Sequence, residues 1–268
     1  MIDVIRKRVE ELLESGEISG FLGLARQNGH IAPRLYQKGD DLSEMSLGDH
    51  LQPGDARYPL NKYLINLYKA YPEKTFGVLV RGCDDRGLKT LYTWNQLTPN
   101  RVVPVGITCP QELADRCECA KPYPDEIIAG EKALPGEARS VAALEALPVG
   151  DRFTYWMNEF VKCIKCYGCS NVCPMCFCNE CSLKCDDLVK RGELPPEIPT
   201  FHHIRAMHMV GRCIDCGLCE EACPSTIPLR TLYKKMNDIM VDKFDYTTGI
   251  RRGQRSPLNM LEPVEGHK

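Results

Sequence analysis

CIKCYGCSNVCP, residues 163–174, and CIDCGLCEEACP, residues 213–224, are two copies of one spacing, C-x2-C-x2-C-x3-C-P. In each copy three thiols lie close enough along the chain to wrap one corner of a compact inorganic core. The fourth opens a segment that leads away, where Pro174 and Pro224 restrict the backbone. This is the spacing of bacterial-type four-iron, four-sulfur ligation, in which the fourth cysteine of each run serves the other cluster. It assigns Cys163, Cys166, Cys169 and Cys223 to a first [4Fe-4S] cluster, and Cys213, Cys216, Cys219 and Cys173 to a second. A pair of zinc knuckles is the competing reading, but knuckles require neither the third cysteine nor the C-P ending.

The rest of the composition bounds the function class. The chain has 268 residues, room for two modest domains with real cores. Its 34 Lys and Arg against 36 Asp and Glu leave a net charge of −2, without the basic footprint of a nucleic-acid binder. No run of apolar residues is long enough for a membrane span. MIDVIRKRVEELLESGE at the start is charged throughout and lacks an apolar secretory core, so a cytoplasmic location is expected. Sixteen cysteines in a reducing compartment point to metal or iron–sulfur ligation rather than to disulfides.

Beyond the first motif the thiols run on. Cys176, Cys178, Cys181 and Cys185 form C-x-C-x2-C-x3-C and lie outside the two completed quartets. They read as a further cluster or a zinc site, held by these four or by three of them with a cysteine from the first half. A set of free thiols is the alternative, although dense exposed thiols invite oxidation. The insertion before the second motif reads as a turn and a helix over 199–211. His202, His203 and His208 then sit on that helix as it feeds the motif, rather than acting as ligands. Asp215 and Glu220 are expected to add negative charge beside the second cluster and lower its potential. Residues 152–162 read as a helix packing on Trp156 and Phe160.

The first half supplies a geometric argument. TFGVLV, 75–80, reads as a buried strand, and RVVPVGIT, 101–108, as a second with Pro104 near an edge or bulge. The helical spacing between them, with Asp84 and Asp85 as N-cap residues, makes a βαβ unit with parallel strands. Cys83 and Cys109 each follow one of these strands and so emerge at the same sheet edge, where open α/β sheets place ligands. Cys117 and Cys119 follow in the next loop. The four converge as a third [4Fe-4S] site; buried small fillers are the bland alternative for Cys83 and Cys109. Residues 3–14 and 58–71 read as amphipathic helices, and 123–140 as a loop and linker. The expected fold is thus an α/β domain with a short parallel sheet over 1–150. A dicluster ferredoxin α+β domain with a helical insertion follows over 151–240. Residues 241–268 read as a flexible tail, whose Arg251, Arg252 and Arg255 would suit an acidic partner or simply be solvated.

VRGCDDRGLKTLYTWNQLTPNRVVPVGITC, WMNEFVKCIKCYGCSNVCPMCFCNEC and GRCIDCGLCEEACP together resemble the beta-subunit family of deazaflavin-reducing hydrogenases and formate dehydrogenases. The resemblance is closer to ferredoxin-fused members associated with heterodisulfide reductase-type complexes, and it covers roughly residues 58–224. It implies an electron-transfer subunit with several [4Fe-4S] clusters. The implied partners are redox subunits such as a hydrogenase, a formate dehydrogenase or a heterodisulfide reductase-like flavoprotein. It also implies that Cys83 and Cys109 match cysteine positions beside a cluster. Many members carry FAD, so a self-contained FAD-dependent dehydrogenase of a deazaflavin or NADH is the alternative, with a flavin at the sheet edge near Cys83 and Cys109. A zinc-rich interaction module or cluster scaffold is the rival from another class. A noncubane catalytic site would require adjacent cysteine pairs, and the sequence has none.

Overall fold

A computed structural model describes residues 1–49, 55–190 and 192–258. The chain opens with α1 (Ile2–Glu14), which buries Ile5, Val9, Leu12 and Leu13 at helical spacing. Next come β1 (Gly20–Gln27) and β2 (His30–Tyr36), an antiparallel pair whose register closes at Gln27 and His30. Asn28 and Gly29 between them both have positive φ, 51° and 79°, the backbone that a tight hairpin turn demands. The two-residue β3 (Met45–Ser46) also pairs with β1. Then follow α2 (Leu60–Ala70), β4 (Phe76–Val80), α3 (Gly82–Thr93) and β5 (Val102–Gly106).

The sheet runs β2-β1-β4-β5, with β1, β4 and β5 parallel. The βαβ unit read from the sequence is present, in register from Phe76 opposite Val102 to Val80 opposite Gly106. All five residues of β4 are buried, as a strand covered on both faces requires. β5 is an edge strand, so Pro104 withholds no hydrogen bond from a neighbour on its outer side. The helix start differs from expectation. α3 begins at Gly82, and Asp84 lies one turn inside it, accepting the Arg81 backbone N–H at 3.1 Å. Gly82 leaves no room for a side chain, because a Cβ there would run into the Lys121 carbonyl.

Beyond β5 the chain is helical: α4 (Gln111–Arg116) and α5 (Arg139–Glu145) lead to α6 (Val149–Phe160), α7 (Gly168–Asn171), α8 (Thr200–Met209), α9 (Leu218–Glu221) and α10 (Leu229–Phe244). Among the described residues after 150 there is no β-strand, so the strands of an α+β ferredoxin are not seen there. Both halves contribute to one buried core, in which Leu88 and Leu91 join Met175, Ile214 and Tyr233. The chain beyond α10, expected to be flexible, is packed as far as Ser256. Tyr246, Thr248 and Ser256 are buried, and the Tyr246 hydroxyl donates to the Gly211 carbonyl at 3.1 Å. No helix among the described residues is long and apolar enough to cross a membrane.

Candidate metal centres

The two cysteine motifs fold alike. Lys165 and Tyr167 in the first loop, and Asp215 and Gly217 at the matching places in the second, all have left-handed backbone, with φ of 49°, 58°, 54° and 77°. The one-turn helices α7 and α9 then start at matching positions. Alternation between right- and left-handed residues turns successive amides into one concavity, the backbone nest that holds anions and iron–sulfur centres. The Lys165 N–H accordingly points at the Cys163 sulfur at 3.4 Å, and the Asp215 N–H makes the matching bond to Cys213.

Three of the four groups of thiols each line one cavity. Cys163, Cys166, Cys169 and Cys223 share the first with His202. Cys173, Cys213, Cys216 and Cys219 share the second with Arg205 and Tyr233. Cys83, Cys109, Cys117 and Cys119 share the third with Arg57, Arg81 and Arg230. In each of the first two, the fourth thiol comes from the other motif. Among the described residues, no three or more His, Cys, Asp or Glu side chains close around a single metal ion. A tetrahedral zinc would draw its thiolates to about 2.3 Å from one point, whereas a cubane spreads its four thiolates over four irons.

Unpartnered polar atoms test whether these residues suit a sulfur-rich anion. His202 is 2% exposed, and neither ring nitrogen has a hydrogen-bond partner among the described residues; nor has the Tyr233 hydroxyl, also 2% exposed. Buried donors of this kind cost roughly 1–3 kcal/mol each unless something accepts from them. One faces the first cavity and the other the second, where thiolate or sulfide would accept. His202, read from sequence as a helix position with no site role, is stacked on Phe160 at 4.6 Å and held neutral, its pKa lowered to about 4 by burial with a contribution from Arg205.

Charge makes the same case at the third cavity. Arg81 lies 3.6 Å from the Cys109 sulfur and Arg86 3.9 Å from that of Cys119. Arg230 is hydrogen-bonded to Cys117, and Arg57 acts on Cys83 and Cys117. Four guanidiniums therefore oppose four thiols. Burial pushes the Cys83 and Cys109 thiols up, and Asp84 adds to the rise at Cys83, while the arginines pull both back toward thiolate.

Asp215 departs from expectation. Its carboxylate pairs with Arg230 at 2.9 Å and Lys234 at 2.6 Å, so it brings no unopposed negative charge to the second cavity. Burial raises its pKa, but these two cations together hold it below the usual carboxylate range. The Glu220 carboxylate accepts from the Arg230 backbone N–H, yet burial leaves its pKa raised. Of the overrunning thiols, Cys176, Cys178 and Cys181 line a fourth, larger cavity of about 480 Å³. Cys185 is exposed and outside its lining.

No family model matches the chain. Curated relatives match over 95 residues. A stretch is 43% identical to the F420-dependent formate dehydrogenase subunit beta of Methanocaldococcus jannaschii, covering 35% of this chain and 25% of the relative. The F420-dependent formate dehydrogenase 1 subunit beta of Methanococcus maripaludis is 41% identical over 35% of this chain and 24% of its own length. The matched segment thus spans about a quarter of these relatives. Over that third of its length, the chain is a relative of the beta subunits of F420-dependent formate dehydrogenases.

Proposed function

We propose that the chain is an electron-transfer subunit of an oxidoreductase complex of the formate dehydrogenase type, with [4Fe-4S] clusters at the three quartets. The carrying observation is that three separate cavities each gather one complete quartet, with buried cations or unpartnered donors turned to the thiols. Bound clusters would supply one-electron chemistry, and the polypeptide would supply spacing, exclusion of water and control of potential.

The cavities form a line. Asp215 and Arg230 line both the third and the second. Cys169 of the first quartet lies close enough to act electrostatically on Cys219 of the second. The first shares no lining residue with either of the others, and this contact between thiols is its link to the second. Electrons entering at the sheet edge would therefore reach the first quartet by way of the second. Cys166 of the first quartet is exposed, which makes that end a point of exchange with another redox subunit. A formate dehydrogenase catalytic subunit is the partner that the relatives' names favour; a hydrogenase or a heterodisulfide reductase-like flavoprotein offers the same electron chemistry.

Anaerobic purification with iron, sulfide and zinc counting tests the reading. The expectation is about twelve or more irons per chain, since each cluster holds about four, and a paramagnetic signal after dithionite. Cys83→Ser should lose about four irons and leave the ferredoxin-type signals. A colourless, zinc-loaded chain overturns the proposal, and stoichiometric flavin in an acid extract favours the self-contained dehydrogenase instead.

A further inference from the structure

The overrunning thiols and one histidine carry an inference that rests on the electron-transfer reading and extends it. The cavity of about 480 Å³ lies between α2, the loop after the first motif, and α8. Cys176, Cys178 and Cys181 turn into it, while Cys185, which completes the spacing on paper, does not. His208 of α8 does line it, and lies near enough to Cys176 for the two to interact electrostatically.

The surroundings suit an anionic metal–sulfur group. Arg205 is 2% exposed and donates to the Cys176 sulfur at 2.9 Å. Its Nε has no partner among the described residues, and neither has Nε of Arg212. Arg212 is itself held in place over the rings of Trp94 and Phe177, 4.6 Å from each. Lys62 reaches the same loop through the Cys176 carbonyl. Thiolates need this positive frame, and a buried guanidinium with an idle donor needs an acceptor.

We propose that Cys176, Cys178, Cys181 and His208 hold a fourth [4Fe-4S] cluster near the surface, and that Cys185 is not a ligand. Three thiolates and one imidazole would occupy the four irons. Cys178 and His208 are exposed, so this site would give the relay a second port to the outside.

The test uses the full chain, purified without oxygen. Wild-type protein is expected to contain about sixteen irons and no zinc. Pulsed paramagnetic resonance of the dithionite-reduced protein should show strong nitrogen coupling from a directly bound imidazole. His208→Ala should lose that coupling together with about four irons. His208→Cys should restore the irons without the nitrogen. Cys185→Ser should leave both unchanged. The inference is overturned by about twelve irons in the wild type, by a stoichiometric zinc, by loss of iron in Cys185→Ser, or by an unaltered spectrum and iron count in His208→Ala. About twelve irons would leave the three-cluster reading intact, so the two failures are distinguishable.

Discussion

His202 and Tyr233 are the residues whose chemistry depends most on what fills the cavities. Each is a buried donor without an acceptor among the protein groups described. A hydrogen bond to cluster sulfur raises the potential by stabilising the more negative, reduced state. His202→Phe keeps the ring stack on Phe160 and removes the donor. The expected result is a fall of about 40 mV in the first cluster's midpoint, since a bond worth about 1 kcal/mol is about 40 mV for one electron. Tyr233→Phe should lower the second cluster's midpoint similarly and leave the first in place. Redox titration followed by paramagnetic resonance reads both. The imidazole also predicts an acid limb of stability. Its folded pKa is lowered to about 4 from 6.5, so between those values the unfolded chain binds more protons. Its contribution is complete above about pH 6.5 and is lost as pH falls toward 4. Between pH 7 and 5 this amounts to up to about 2 kcal/mol, which denaturant titrations of wild type and His202→Phe at the two pH values would expose as a difference in slope. Nothing in FHHIRAMH distinguishes His202 from its neighbours; only its burial between Phe160 and Phe201 does.

At the scale of elements, the cysteine loops rest on left-handed positions. Gly217 has φ of 77°, and a Cβ there would lie 2.9 Å from the Arg230 guanidinium. Gly217→Ala should cost about 1–2 kcal/mol and displace the arginine that faces Cys117, visible as a lower thermal midpoint and slower iron retention on exposure to a chelator. The repeated C-x2-C-x2-C marks these loops in sequence because ligand geometry demands local spacing. The βαβ unit was legible for a similar reason: an apolar five-residue strand, a helix and a second strand with an edge proline follow one another. The β1–β2 hairpin lies outside the expected elements, although Asn28-Gly29 between two apolar runs is its signal. That hairpin supplies the sheet's other half, including β1, the strand beside β4.

For the whole molecule, buried arginines join the halves. Arg86 of α3 donates to the Ile214 carbonyl within the second cysteine loop at 3.1 Å, to the Lys121 carbonyl at 3.0 Å, and approaches Cys119. Arg57 reaches Glu221 on α9 with its Nε at 2.8 Å. Replacing Arg86 with methionine keeps bulk but leaves buried carbonyls unpaired and removes a cation from the third quartet. The expected loss is about 2–4 kcal/mol of stability, read by denaturant unfolding. A lower midpoint for the third cluster should accompany it. A variant as stable as wild type would show that the halves are held together by apolar packing rather than by this arginine.

The sequence by itself determined which thiols share a loop, because the repeated C-x2-C-x2-C spacing keeps them near neighbours along the chain. It also determined that β4 and β5 run in parallel and deliver Cys83 and Cys109 to one edge, since a βαβ crossover permits little else. Only the tertiary structure decided what surrounds the thiols. The guanidiniums at the third cavity come from three separate parts of the chain, position 57, positions 81 and 86, and position 230. The neutralisation of Asp215 by Arg230 and Lys234 depends on α10 folding back across the motif. Charge and hydrogen bonding act through space over a few ångströms, and residues brought that close by packing leave no mark in the spacing of a sequence.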